Sequence, residues 1–233
     1  MAETLQQFQR RIGEFVPFSM HLNEWGQFVT NPGLTSKVWE KTLIPFEGDT
    51  MVFLLEDSVK QMLGGLQEAL YRDFGWMLAE SLREDTFHVT LHDLENGHPC
   101  EELRCRTTQT GLQAKEVLKQ VKEQYTRPIR MHTTKMMNMV GSSVVMVLEA
   151  ADEESHNQLM ALYEAFEEVK PLNRPLTPHI TLGYFQPGVY GWEGAQNLQK
   201  FFDWTGENPF EVVLYMENLV HQEFRNMNDY YEV

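Results

Sequence analysis

Cysteine is scarce in this chain of 233 residues, which contains only Cys100 and Cys105. Two thiols are too few for a disulfide framework, and with nearby His98 they still fall short of the four ligands of a structural zinc site. We therefore predict two reduced thiols in a cytoplasmic protein, with no structural metal. The N-terminal stretch MAETLQQFQRRIGEF is polar, so we expect no secretory signal.

Long apolar runs are also missing. The longest are MVFLL and VVMVL, far below the roughly 20 apolar residues of a membrane span. We therefore expect no membrane partner. A length of 233 residues suits one large domain or two closely packed lobes with a substantial core.

Positive charge is the third shortage, because 19 Lys and Arg residues face 34 Asp and Glu residues, for a net charge of −15. A protein that binds long nucleic acid without sequence preference needs a wide basic face. We therefore expect no long duplex nucleic acid as partner, whereas a small anionic ligand could still occupy a locally basic cleft. The one basic stretch, residues 111–135, is interpreted as a solvated helix face followed by a strand, with His132 as an alternative phosphate contact.

What the chain does contain is an internal repeat. VFLLE begins at Val52 and VMVLE begins at Val145, an offset of 93 residues. ALYRDF begins at Ala69 and ALYEAF begins at Ala161, an offset of 92 residues. Similar segments in the same order indicate an internal duplication, with a pseudo-twofold relation between the halves.

A third pair of matching segments contains the polar side chains of interest. FHVTL includes His88 and Thr90, and PHITL includes His179 and Thr181, with the two histidines 91 residues apart. Because side chains alternate along a strand, each His shares a face with its Thr while the apolar neighbours face the core. A pseudo-twofold axis would bring the two His-Thr pairs together across a shared cleft.

Each half of the repeat is typical of a strand, a helix and a second strand that carries His-x-Thr. MVFLL and VVMVL have the length of buried strands, and residues 58–80 and 152–168 have apolar side chains at helical spacing. The predicted fold class is therefore α+β, with two similar sheet-and-helix lobes facing each other around a central cleft. We expect residues 1–233 to form a single bilobal domain, with lobe 1 at about 45–140, lobe 2 at about 141–220, and 1–44 as an N-terminal extension packing on the lobes.

Other segments give weaker signals. Trp25, Phe28 and Trp39 are interpreted as core residues, with a lid over the cleft as the alternative. Tyr230 and Tyr231 are expected in a final edge strand or tail that packs on the second lobe. Further helices are predicted at 4–12 and 112–125, and further strands at 128–139 and 210–220.

Two imidazoles and two hydroxyls in one cleft suit phosphoryl chemistry. Imidazoles with pKa values near neutrality can divide the work of general base and general acid. Hydroxyls can donate hydrogen bonds to the non-bridging phosphoryl oxygens, where charge builds in the transition state. For a strained cyclic phosphodiester this set can suffice without a metal ion.

The paired HVTL and HITL segments, in a duplicated α+β chain, resemble the signature of the two-histidine phosphoesterase superfamily over about residues 45–220. The resemblance implies a bilobal fold with a central cleft, no metal or cofactor, and action on 2′,3′-cyclic phosphate ends and related molecules. By position it implies that His88 and His179 are the acid/base pair and that Thr90 and Thr181 bind phosphate. The segment PFEGDTMVFLL is similar to a little-characterised bacterial branch of that superfamily.

The two copies differ two residues beyond each threonine, where the first has His92 and the second has Gly183. We expect His92 on the face of His88 and Thr90, where it would contact substrate, orient His88 or lie in solvent at the rim. Gly183 would leave room for ligand bulk. Tyr184 and Phe185 follow, and one of them is a candidate for stacking on a base; the alternative for Phe185 is to cover the cleft edge or to pack in the core.

The predicted function is a metal-independent phosphodiesterase that hydrolyses a 2′,3′-cyclic phosphate, or a related small cyclic or RNA-terminal phosphodiester, by His/His general acid–base catalysis. Its partner would be a small nucleotide or short RNA end. The alternatives are a non-catalytic nucleotide sensor using the same cleft and an RNA end ligase. A zinc site from His88, His92 and His179 is disfavoured. His88 and His92 are four positions apart on a strand, so their Cβ atoms would lie ~13 Å apart, too far for two ligands of one ion. The choice of acid and base, and the oligomeric state, stay open.

Overall fold

The structure is a computed structural model that describes residues 3–15 and 19–233. No helix within these residues is long and apolar enough to cross a membrane. The α-helices of the described part are α1 Leu5–Phe15, α2 Asp57–Phe74, α3 Glu101–Gln124, α4 Glu153–Glu167 and α5 Trp192–Thr205.

Most of the strands form two antiparallel sheets of four. The first has the order β12-β11-β4-β5 and the second has the order β10-β6-β7-β8. The first consists of β4 Glu47–Leu54, β5 His88–Gly97, β11 Leu219–Asn226 and β12 Asp229–Glu232. The second consists of β6 Ile129–Met139, β7 Ser143–Ala150, β8 His179–Tyr184 and β10 Glu211–Leu214. Two short ribbons pair β1 Phe28–Val29 with β9 Val189–Tyr190, and β2 Val38–Trp39 with β3 Thr42–Leu43.

The repeat explains why each sheet places an apolar strand beside an edge strand that carries His-x-Thr. β4 and β7 come from the apolar runs and lie inside their sheets, where nearly all of their residues are buried. β5 and β8 are the edge strands that carry the His-x-Thr motifs, and they contact each other. Helix α3 covers the first sheet, while α4 and α5 pack on the second. The α+β prediction, with two sheet-and-helix units around a cleft, is confirmed.

The sheets do not follow the predicted lobe ranges of 45–140 and 141–220. Strand β6 precedes residue 141 but pairs with β7 and β10 in the second sheet, whereas β11 and β12 return to pair beside β4 in the first. Each sheet therefore takes strands from both halves of the chain. The predicted single strand at 210–220 is broken by a 3₁₀ turn at Met216–Asn218, and this turn is where the chain crosses between sheets.

Several predicted elements differ at their ends. α3 begins at Glu101 rather than 112, because the Cys100 Sγ accepts a hydrogen bond from the backbone N–H of Leu103 and caps the helix. Both thiols are free and exposed. Helix α5 was not predicted at all.

The N-terminal extension packs on the second half of the chain. Phe28 is buried, with its ring 5.0 Å from that of Phe185, and the β1–β9 ribbon continues this contact. The interpretation of Trp25 and Trp39 as core residues is wrong, since their exposed fractions are 75% and 66%.

Candidate active site

A cleft of about 480 Å³ lies between the two sheets, within the usual size range of small-molecule sites. Its walls include His88 and Thr90 from β5 and His179 and Thr181 from β8. The structure therefore brings together the four motif residues. They meet because β5 and β8 are the edge strands at which the two sheets touch.

The two imidazoles are held in the same way. The His88 Nδ1 lies 2.8 Å from the carbonyl oxygen of Thr86, and the His179 Nδ1 lies 2.7 Å from that of Thr177. A backbone carbonyl can only accept, so Nδ1–H is the donor in both rings. In the neutral ring the bare nitrogen is then Nε2, which is the atom that can take a proton in the cleft.

These partners extend the repeated motif by two residues. The chain reads TFHVT at 86–90 and TPHIT at 177–181, so each His is preceded by a Thr at the same spacing. The sequence reasoning missed this signal because it treated only His-x-Thr as the motif. Thr86 and Thr177 contribute their backbone carbonyl groups, which orient the two rings.

The surroundings of both histidines favour the neutral imidazole. Burial lowers the pKa of His88 to about 4; the bond to the Thr86 carbonyl opposes this effect, and the nearby His179 adds to it. Burial is also the main reason that the pKa of His179 is lowered, against the raising effect of the Thr177 carbonyl. An anionic phosphoryl group bound between the rings would raise both pKa values, because it stabilises the charged form.

The two motif threonines lie in the wall of the cleft. Thr90 and Thr181 are half-buried, and neither hydroxyl forms a hydrogen bond to a group in residues 3–15 or 19–233. In contrast, the hydroxyl of Thr50, which also lines the cleft, donates to the carbonyl of His92 at 3.1 Å. The two motif hydroxyls can therefore donate to a ligand without breaking a bond inside the protein.

His92 does not share the face of His88 and Thr90, so that prediction is wrong. Leu91 is unpaired in the ladder between β5 and β4, and it forms a β-bulge directly after Thr90. The extra residue ends the strict alternation of faces, and the residue that next lines the cleft with a half-buried side chain is Asp93.

The bulge buries His92 against α4. Its ring lies 5.2 Å from the ring of Tyr163, and its Nε2 lies 3.1 Å from the Oε1 of Glu167. Burial lowers the pKa of His92, while the hydrogen bond to Glu167 raises it. The same Glu167 oxygen accepts from the backbone N–H of Leu172 at 2.9 Å, so the pair ties β5 to the loop that leads to His179. His92 is nevertheless among the residues that line the cleft, and a contact between His92 and substrate stays a prediction.

The second copy repeats the bulge, and this overturns the expected role of Gly183. Leu182 is the extra residue between Thr181 and Gly183. A Cβ atom at Gly183 would lie only 2.7 Å from the Tyr71 Oη, so the space is filled by α2 rather than left for ligand. Tyr71 occupies the same place in ALYRDF as Tyr163 does in ALYEAF, so the two sites are related by the repeat.

Tyr184 lines the cleft as expected, at the end of β8. Its hydroxyl donates to the Met227 Sδ at 3.0 Å, and the Lys37 Nζ lies 5.6 Å from the centre of its ring. The ring is almost fully buried, with an exposed fraction of 9%. Stacking of Tyr184 on a base stays a prediction.

The cleft also contains residues that the sequence reasoning did not select. Tyr230 of β12 places its ring 5.0 Å from that of His88, so it packs on the first sheet rather than on the second lobe. Arg174 forms an ion pair with Asp93 across the cleft. Lys37 comes from the N-terminal extension. Tyr230 and Lys37 come from outside the repeated segments, so spacing did not reveal them. Arg174 does have a counterpart, since Arg83 also lies five residues before a motif histidine.

His132 lies elsewhere, in a wider and more open groove on the second sheet. The neighbouring cations are already paired there, with Arg130 2.7 Å from Glu211 and Lys135 2.6 Å from Asp203. Within the described residues, no group of three His, Cys, Asp or Glu side chains is arranged to hold a metal ion. Among the described residues, Arg130 and Lys135 of the basic stretch therefore do not form a cluster of unpaired positive charge in this groove.

Comparison with known proteins gives a match at the level of structure. No protein-family model matches the chain, and no curated protein matches it significantly. A conserved protein of unknown function from Agrobacterium tumefaciens, ATU0111, superposes with a TM-score of 0.65 at 15% sequence identity. The match covers 88% of this chain and 92% of that one. The chain shares its fold with this protein.

Two other solved structures match less closely. TT0787 of Thermus thermophilus is 16% identical, covers 79% of this chain and 94% of its own, and has a TM-score of 0.47. LigT of Escherichia coli, in its apo form, is 13% identical, covers 81% of this chain and 95% of its own, and has a TM-score of 0.45.

Proposed function

We propose that this protein is a phosphoesterase of the two-histidine superfamily, and that it hydrolyses a 2′,3′-cyclic phosphate or a related small cyclic or RNA-terminal phosphodiester. One observation carries the proposal. Two Thr-x-His-x-Thr strands enter one cleft, and each presents an imidazole fixed through Nδ1 beside an unpaired threonine hydroxyl. The function is inferred from the side chains of this cleft, because the same fold can support different activities.

The arrangement supports a two-proton mechanism. One neutral imidazole accepts a proton at Nε2 from a water molecule, whose oxygen attacks phosphorus. The other imidazole, protonated at Nε2, donates that proton as the bond between phosphorus and the ribose oxygen breaks. Each proton transfer is typically worth ~10²–10⁴-fold in rate. The hydroxyls of Thr90 and Thr181 donate to the non-bridging oxygens, where negative charge increases.

The acidic partner needs a proton, although burial favours the neutral form of both rings. A bound phosphodiester favours protonation of one ring, because its negative charge raises the pKa of the adjacent imidazole. The proton is thus taken up with the substrate, and the two rings share it as a coupled pair. After turnover the former base is protonated and the former acid is neutral, so a proton exchange with solvent restores the starting state.

The size and charge of the molecule support a small substrate. The cleft of about 480 Å³ suits a mononucleotide or a short RNA end. With a net charge of −15, the surface as a whole repels a long polyanion.

The test is turnover of 2′,3′-cyclic mononucleotides and of a short RNA with a cyclic phosphate end, with chelator present. The wild type is compared with His88→Ala, His179→Ala and the double variant. We expect each single change to lower kcat by at least about 100-fold. His132→Ala, in the other groove, is the control and should keep full activity. Undiminished turnover in both single variants would overturn the acid–base assignment.

A nucleotide sensor that binds its ligand in the same cleft, without turnover, is the second candidate. The same assay decides between them, because a sensor would return the bound nucleotide chemically unchanged. Addition of an RNA with a 5′-hydroxyl end tests the ligase alternative, whose product would be a joined RNA.

A further inference from the structure

Lys37 is a cation held at the wall of the catalytic cleft. Its Nζ lies 4.8 Å from the centre of the Phe46 ring and 5.6 Å from that of Tyr184, and all three residues line the cleft. Aromatic faces attract a cation without neutralising its charge. The two rings therefore position the ammonium group and leave its positive charge in place.

The other formal charges of the cleft are already matched. Arg174 and Asp93 pair with each other. No carboxylate within residues 3–15 and 19–233 lies within ion-pair distance of Lys37. The chain has a net charge of −15, so carboxylates are in excess, and yet this ammonium group in the cleft has none of the described ones as a partner. An anionic ligand group is what would complete its interactions.

The backbone at Lys37 is fixed, so the side chain starts from a defined place. The N–H of Lys37 donates to the carbonyl of Leu34 at 2.9 Å, and its own carbonyl accepts from the N–H of Ile44 at the same distance. The preceding 3₁₀ turn, Pro32–Ser36, is capped by the side chain of Asn31. Hydrogen bonds thus fix the backbone of this part of the N-terminal extension where it forms the cleft wall.

Lys37 lies along the cleft from the reacting centre. Tyr184, which it contacts, is five residues beyond His179 on β8, a distance of up to ~16 Å along a strand. The pKa of His179 is lowered mainly by burial, and the charge of Lys37 adds to that effect, so the two groups belong to one electrostatic environment. A ligand that extends from His179 along β8 towards Tyr184 would approach the ammonium group.

We propose that Lys37 binds a second anionic group of the substrate, a phosphate that does not take part in the reaction. The inference rests on the proposed function, because it takes the reacting phosphodiester to lie between His88 and His179. It names the substrate class more narrowly as a nucleotide or short oligonucleotide that carries a further phosphate besides the one attacked.

Equilibrium binding tests this without relying on turnover. Calorimetry would compare adenosine 3′-monophosphate with adenosine 3′,5′-bisphosphate on the wild type, Lys37→Met, Lys37→Arg and Lys41→Met. Lys41 is the matched control, since it is exposed and lies on the same extension. We expect the wild type to bind the bisphosphate about 10-fold more tightly. Lys37→Met should lose that preference, while Lys37→Arg and Lys41→Met should keep it.

The inference would be overturned by equal affinities for the two ligands in the wild type, by no binding of either, or by an unchanged preference in Lys37→Met. Thermal unfolding of each variant checks that the fold is intact. Because the ligands are not substrates for hydrolysis, a failure of the proposed catalysis appears in the turnover assay and not in these affinities.

Discussion

The guanidinium of Arg11 donates a hydrogen bond of 2.8 Å to the backbone carbonyl of Leu176, three residues before His179. The same group reaches the hydroxyl of Thr177 at 3.2 Å and is held by an ion pair with Glu3. The carbonyl of Thr177 in turn orients the His179 ring. Helix α1 thus supports the chain segment that positions one of the two imidazoles.

Arg11→Met should therefore lower kcat by about 10-fold or more, because a small displacement of a catalytic group has a large kinetic effect. KM should change little, since Arg11 is a positioning residue that does not line the cleft. Arg11→Lys should restore part of the rate. The measurement is steady-state kinetics across pH, with Arg10→Met on the exposed side of the same helix as control. A loss of thermal stability with normal kcat would show that Arg11 serves the fold alone.

The motif hydroxyls should matter for rate and not for stability. Thr90→Val and Thr181→Val preserve shape and remove one donor each, so we expect kcat to fall by roughly 100-fold for each change. The free energy of unfolding should stay close to that of the wild type, because neither hydroxyl bonds within the described protein. Thr→Ser at either position keeps the donor and should keep most of the activity. Equal rates for the Val and Ser variants would argue against a role for these hydroxyls.

Burial of His88 should make stability depend on pH. Its pKa of about 4 lies below the ordinary value of 6.5, so between these values the unfolded chain binds a proton that the folded chain does not. The stabilisation is complete above about pH 6.5 and is lost as the pH falls towards 4. Urea unfolding at pH 7 and pH 5 should show a smaller pH dependence in His88→Gln than in the wild type. An identical pH dependence in both proteins would contradict this explanation.

Gly183 should be intolerant of a side chain. A Cβ atom would meet the Tyr71 Oη at 2.7 Å, so Gly183→Ala should lower the free energy of unfolding by about 1–3 kcal/mol. Tyr71→Phe removes the clashing hydroxyl, together with its 3.2 Å bond to the Glu80 carbonyl. The two changes combined should cost less than the sum of their separate effects.

Gly65→Ala is the matched control for Gly183→Ala. It lies in α2, where a Cβ atom would meet nothing within 4 Å, and the change should stabilise the helix by about 0.5–1 kcal/mol. Additive effects of Gly183→Ala and Tyr71→Phe would show that the two residues do not compete for space.

The repeat made the centre of the site predictable. Because duplicated strands occupy equivalent places, the spacing of His88 and His179 was enough to predict that they meet, together with Thr90 and Thr181. The face of His92 was not predictable, since a β-bulge at an ordinary leucine has no local sequence signal. The bulge depends on how β5 pairs with β4, which is a tertiary property.

Contacts from outside the repeat were also hidden. Lys37 and Arg11 come from the N-terminal extension, whose spacing carries no relation to the motifs. The return of β11 to the first sheet was missed for a related reason. The segment FEVVLYMENLV has the apolar content of one strand, and only long-range pairing divides it between two sheets.

The exchange of strands between the sheets has a consequence for the order in which the site is made. During translation, β6, β7, β8 and β10 can pair as soon as residue 214 has emerged, which completes the second sheet. The first sheet must wait for residues 219–232, and with them for Tyr230 beside His88. A nascent chain that already contains all four motif residues therefore still lacks one wall of its cleft. Catalytic competence should arise only after β11 and β12 have joined the first sheet.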